Sequence, residues 1–154
     1  MPENFSSRRN DVRLLTTLDG ADVAHFRLRE FANAEGLAMV HPEMLLALER
    51  VRRDLNAMAG ESVWVIIKDA VRTEADLVKL ADLLGWADEG GAVSRDSMHL
   101  AKYGGIAVDL VAVVAASRHR VPQTTLGDVC RRHFDYVKDD YANGHVHADL
   151  RGHL

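Results

Sequence analysis

The chain has 154 residues, 47% of them hydrophobic, which is enough for one packed domain and too much for a disordered segment. A formal charge of -4 and a pI near 6.0 give no footing for nucleic-acid binding, which leaves a basic footprint. A lone cysteine, Cys130, excludes an internal disulfide and a thiolate metal cluster.

In chain order, residues 1–24 read as an irregular N-terminal arm punctuated by Gly20, and 25–154 as a single domain. The first 18 residues are polar and charged, without the apolar stretch of a secretory signal. The expectation is synthesis in the cytoplasm, and no apolar run is long enough to span a membrane. His25–Phe31 reads as a short turn or helix with two aromatic anchors, Phe26 and Phe31.

A helix follows. Pro42 suits its first turn; Leu45, Leu48, Val51 or Arg52, Leu55 and Met58 recur at helical steps; Gly60 supplies the stop. Ser62–Ile67 is β-branched and almost continuously apolar, the pattern of a central strand. Thr73 caps a further helix with a stripe of Leu77, Leu80, Leu83 and Leu84, ended by Gly85 or by Gly90-Gly91. Residues 88–104 form a Gly/Ser-rich loop containing His99, and a strand runs over 105–114. Thr124 or Thr125 opens a helix to about Val137, with Leu126, Val129, Cys130, Phe134 and Val137 inward. Residues 138–143 turn, and 144–151 form a last strand. The pattern is α+β: a small antiparallel sheet with helices on one face and a site on the other.

Two distant segments carry the chemistry. In Gly105–Leu110, Ile106, Val108 and Leu110 share a face opposite Ala107 and Asp109. In His145–Arg151, Val146, Ala148 and Leu150 oppose His145, His147 and Asp149. Side by side, these strands gather His99, Asp109 and His147. Two imidazoles and a carboxylate around an open position are the ligand set of a catalytic zinc site. Asp109 stands in an otherwise apolar strand, where an unpaired carboxylate is costly.

Five elements, in order, resemble the zinc D-Ala-D-Ala carboxypeptidases and peptidoglycan endopeptidases of the hedgehog/DD-peptidase fold, in particular their short phage and bacterial members. They are His25-Phe26 with Glu30-Phe31, His41-Pro42 opening a helix, Val71-Arg72-Thr73, Ser97 and His99 with Gly105, Ala107 and Asp109, and Val146-His147-Ala148-Asp149-Leu150-Arg151. The resemblance implies one Zn2+ held by His99, Asp109 and His147. It implies a catalytic Arg72 that stabilises the oxyanion, and a Ser97 that hydrogen-bonds substrate. The reaction implied is hydrolysis of amide bonds in the peptidoglycan stem peptide, either carboxypeptidase-like or as an endolysin-like endopeptidase.

The family places its catalytic acid/base three residues before the last zinc histidine. That position here is Gly144, which cannot transfer a proton. His145 is the best substitute, ahead of Asp139, Asp140 and Asp149. The family also separates its zinc His and Asp by seven positions, where His99 and Asp109 lie ten apart. A phage or prophage enzyme reaching the cell wall after release, or carried in the virion, fits the missing signal. The alternative is a non-catalytic structural or wall-binding module of a phage particle that contacts other phage structural proteins.

Overall fold

The computed structural model describes residues 12–73 and 97–154. The helix expected after Thr73 and the 88–96 part of the loop lie outside the described residues.

The chain begins with a hairpin, β1 (Arg13–Leu18) and β2 (Ala21–Arg27). Asp19 and Gly20 join them, both at positive φ, as a two-residue turn requires when it follows the twist of the strands. Where the sequence suggests an irregular arm, the Asp-Gly pair closes a ladder. Strand β1 alternates exposed and half-buried residues down to buried Leu18, but the doublets Leu14-Leu15 and Thr16-Thr17 put one residue type on both faces, which is why its period is faint in the sequence. A salt bridge from Arg53 to Asp19 ties its tip to the helix that follows.

The segment read as a turn or helix at 25–31 is strand to Arg27 and a single 3-10 turn over Leu28–Phe31. Its two aromatic anchors do what the sequence suggests: Phe26 and Phe31 are buried with ring centroids 6.2 Å apart.

Helix α1 spans Pro42–Ala59. Pro42 occupies the first turn, the His41 ring accepts the Glu43 amide hydrogen at 3.1 Å, and Gly60 closes the helix in the left-handed region. Met44, Leu45, Leu48, Val51 and Leu55 are buried, whereas Met58 is 56% exposed, so the apolar stripe ends one turn early. Glu49 is also buried. Its two carboxylate oxygens take the His25 amide at 3.0 Å and the His25 ring at 2.7 Å, fastening the hairpin to the helix.

The main sheet is antiparallel, in the order β3 (Val63–Asp69), β4 (Ala107–Val114), β6 (Val146–Asp149), β5 (Tyr136–Lys138). Strand β3 is therefore an edge, not the centre expected from its apolar run. The reason is visible at Trp64, 41% exposed and covered by the Arg118 guanidinium 4.4 Å from its ring centre.

Helix α2 covers Gln123–Arg131. It stops short of the expected Val137 because residues 132–135 turn on Cys130, whose carbonyl accepts the amides of His133 and Phe134 at 3.0 and 2.9 Å. Phe134 stays buried in that turn, so the helical period outlives the helix. Burial pushes the Cys130 thiol up to about 12, which leaves it a packing residue. The last strand is shorter than 144–151: Gly144 has positive φ and Arg151 begins a 3-10 turn.

Val63, Val65, Val108, Leu110, Ala112, Val146 and Ala148 pack with the buried faces of α1 and α2 in one core. By the alternation of the pleat, Asp109, His147 and Asp149 take the opposite face. Gly105 closes the approach to β4. Its φ is +77, and a Cβ there would lie 2.8 Å from the Met39 and Val40 backbone. Gly105→Ala is expected to lower unfolding free energy by about 2 kcal/mol or more, through strain and backbone displacement. A urea titration checks this, and an unchanged midpoint would show that the loop yields freely.

Candidate metal centre

The site starts from a register. In the β4–β6 ladder Asp109 is the direct partner of His147, so their side chains rise together from the same face. His99 comes from a separate segment. Residues 70–73 run beside 99–101: the Arg72 amide donates to the His99 carbonyl at 2.7 Å, and the Ala101 amide to the Arg72 carbonyl at 2.8 Å. Buried Leu100 anchors this crossing. The Ser97 hydroxyl oxygen accepts the His99 amide at 3.2 Å and shapes the turn that delivers the ring.

Three atoms converge. His99 Nε2 is 3.2 Å from Asp109 Oδ1 and 3.2 Å from His147 Nδ1, and those two are 3.1 Å from each other. The far nitrogen of each ring is committed elsewhere. His99 Nδ1 lies 2.6 Å from the Ala70 carbonyl, which can only accept. His147 Nε2 lies 2.7 Å from Asp149 Oδ2. Each neutral ring therefore carries its hydrogen on the outer nitrogen and turns a lone pair inward. Two imidazole lone pairs and a carboxylate oxygen then face one point, and only a positive centre makes that favourable. Ligands about 2.0–2.1 Å from a tetrahedral ion are separated from one another by roughly 3.3 Å, close to the triangle found. The group can hold a metal ion, and its donor chemistry and locked tautomers fit one.

The electrostatics follow the same contacts. In the metal-free protein burial works to raise the Asp109 carboxyl, but hydrogen bonds from His147 and His99, made when their inner nitrogens are protonated, outweigh it and hold the group well below the carboxylate range. Burial works to lower His147, yet its bonds to Asp109 and Asp149 leave it raised. Asp149 is fully buried. Burial opposes its ionisation, but hydrogen bonds from Arg151 and His147 bring it down to about 2. Arg151 grips it through Nε at 2.9 Å, Nη2 at 2.7 Å and its own amide at 3.0 Å, and lies 3.7 Å over the Tyr136 ring. Tyr136 in turn meets His147 edge-on at 5.9 Å.

Arg72 reaches the centre from the β3 side. Its Nη2 is 3.6 Å from Asp109 Oδ2, and Asp69 clamps the guanidinium through Nε at 2.7 Å and Nη2. Asp69 is available because the β3–β4 register shifts at Lys68: Ile67 opposes Leu110, but Asp69 opposes Asp109. That bulge turns a residue that would otherwise share Ile67's face toward the site.

The structure thus brings His99, Asp109, His147 and Arg72 together and places Ser97 in the turn behind His99. His145 precedes β6. Its amide donates to Asn143 and its carbonyl accepts from Gln123, while no contact of the cluster involves its ring. Asp139 and Asp140 pair with Arg131 and Lys138. Asp149 is a support for His147, not a free base. Asp69, Tyr136 and Tyr141 escaped the sequence reading; the Tyr141 hydroxyl is raised by burial and by the Asp109 charge. Only the H-x-D spacing of His147 and Asp149 was a readable signal of support. The chain matches no protein-family model, no curated protein and no solved structure.

Asp149→Asn is expected to weaken metal binding about 10–100-fold, the usual cost of losing a carboxylate behind a ligating histidine. A competitive chelator titration measures it, and an unchanged affinity would remove Asp149 from the site. The pH dependence of the metal-free protein has a definite sign. His147, raised above its ordinary 6.5, contributes stability that is complete below pH 6.5 and is lost as pH rises through its folded value. Asp149, lowered from 3.8, contributes stability that is present above pH 3.8 and is lost as pH falls toward 2. Metal binding displaces protons and so strengthens with pH. Thermal unfolding at pH 6 and pH 8 should therefore show falling midpoints with chelator and rising metal stabilisation without it. Parallel curves under both conditions would contradict this.

Proposed function

We propose that this chain is a zinc-dependent peptidase that hydrolyses amide bonds in peptidoglycan stem peptides, of the hedgehog/DD-peptidase fold. The observation that carries the reading is the convergence of three lone pairs from His99, Asp109 and His147, each ring locked by a second partner. The five ordered elements that resemble that family support it, since they place the same three residues in the ligand positions. A zinc ion held there supplies Lewis acidity toward a peptide carbonyl and a water acidified to near-neutral pKa.

The protein's own groups do the rest. Arg72, already held by Asp69, offers donors to the oxygen on which negative charge grows, and needs no reorganisation to do so. The Ser97 oxygen accepts the His99 amide, and its hydroxyl hydrogen remains to donate to a substrate carbonyl. His145 is the assigned proton acceptor. Its ring takes no part in the contacts that knit the cluster, so it acts through an intervening water or after a shift of the turn. Both a carboxypeptidase-like and an endolysin-like specificity suit this arrangement. Action follows release to the cell wall or delivery in a phage particle. No described helix is long and apolar enough to cross a membrane.

A second reading is favoured by one observation. Gly144 stands at φ +81 where the family keeps its acid/base. A chain without that group can serve as a wall-binding or structural module that retains the metal.

Metal analysis together with turnover of purified peptidoglycan separates the two. The enzyme is expected to bind one zinc and release stem-peptide fragments. Arg72→Ala should lower kcat roughly 10²–10³-fold with zinc content unchanged, and His145→Ala roughly 10²–10⁴-fold. Zinc-loaded protein that never cuts stem peptides establishes the module. If Arg72→Ala keeps full activity, the oxyanion role is wrong.

A further inference from the structure

The turn before β6 carries a cation where an acid would be expected. A Cβ built on Gly144 would lie 3.1 Å from Arg120 Nη1, with the other guanidinium atoms at 3.4 and 3.5 Å. The Arg120 side chain thus lies over the bare glycine. Arg120 also pairs with Val113 as an isolated antiparallel bridge. Directly opposed residues share a face, and along β4 Val113 alternates onto the face of Asp109. Arg120 is exposed. Arg72, Arg131, Arg151 and Lys138 each hold a carboxylate, whereas Arg120 has no ion pair or hydrogen-bonding partner among the described residues. The backbone beneath it is fixed: the Gly144 amide donates to the Tyr141 carbonyl at 3.0 Å, and Gln123 holds the carbonyls of Tyr141 and His145.

We propose that Arg120 over Gly144 is a carboxylate-binding subsite that sets substrate specificity. This deepens the peptidase reading and rests on it. Arg120 stands opposite Val113, four residues along β4 from Asp109 and so roughly 13 Å along the strand, and an extended peptide advances about 3.3–3.6 Å per residue. A peptide with its scissile bond at the metal therefore places at Arg120 a group about three to four residues away. The ligand is a peptide with a free carboxylate at that remove, which the guanidinium grips by charge-assisted hydrogen bonds. Glycine suits the turn in two ways: its φ is +81, which L side chains rarely adopt, and a Cβ would press on the guanidinium above it.

The test compares stem peptides with free carboxylates against the same peptides amidated. The zinc-loaded protein should prefer the free acids. Arg120→Ala should raise KM for them about tenfold or more, with kcat within about twofold, and leave the amidated peptides unaffected. Arg120→Lys should recover part of the loss. Equal KM values for acid and amide in the unmodified protein overturn the inference while the peptidase assignment stands. Should the protein not cleave, calorimetric binding of the same two peptide sets decides. Acid preference lost in Arg120→Ala then sustains the subsite and removes the enzyme reading, and no preference removes the subsite.

Discussion

Asp109 and His147 oppose one another across the β4–β6 ladder, and the site exists only in that register. A slip by one residue would set Val146 or Ala148 against Asp109 and send His147 and Asp149 into the core. The slip is prevented by the same strands' other face, where Val108, Leu110, Val146 and Ala148 are buried with the helices. Core and site are thus one constraint seen from two sides of a pleat. At about 25 cal/mol for each Å² of apolar surface, burial of four such side chains far outweighs any single polar contact, so the core dictates where the ligands stand.

The charges around the centre close in pairs. Asp69 is matched by Arg72 and Asp149 by Arg151. That leaves the Asp109 carboxylate as the unit of negative charge facing the convergence point, with Arg72 only 3.6 Å from its other oxygen. A divalent ion bound by one carboxylate and two neutral rings retains about one positive charge, which suits polarisation of a carbonyl. The two imidazoles are not equivalent. His99 leans on a neutral backbone carbonyl and His147 on a buried carboxylate, the kind of partner that raises the basicity of a ligating ring.

What the sequence made legible is what has a period or a fixed spacing. Strands β4 and β6 alternate cleanly, and from that the shared face of Asp109 and His147 follows, whereas His99 had to be added from its loop. Helix α1 announces itself through Pro42, its leucines and Gly60. The hairpin was missed although Asp19-Gly20 marks its turn, because the doublets Leu14-Leu15 and Thr16-Thr17 hide the alternation that the burial of β1 shows. Strand β3 reads as central because apolar continuity cannot tell a neighbouring strand from the cover that Arg118 gives Trp64. The bulge at Lys68 is a property of pairing and leaves no local trace, so Asp69 could not be foreseen. His145 illustrates the limit of alternation: parity placed it beside His147, but Gly144 at positive φ precedes it, and the ladder begins only at Val146.

The locked tautomers constrain both functional readings. Without a cation, three lone pairs about 3 Å apart repel, and folding must take up a proton to bridge them. A ligand that binds only the native state stabilises it in proportion to the logarithm of its concentration over Kd, so an ion here offsets that cost directly. A module that only grips the wall would gain nothing from buried His99 and His147 aimed inward unless metal holds its fold. A metal ion held there would therefore serve either role. What separates them lies on the turn at 141–145, where a glycine stands under an arginine and no proton-transferring side chain occupies position 144. There, an enzyme needs a proton acceptor within reach of the centre, whereas a binder needs only the cation.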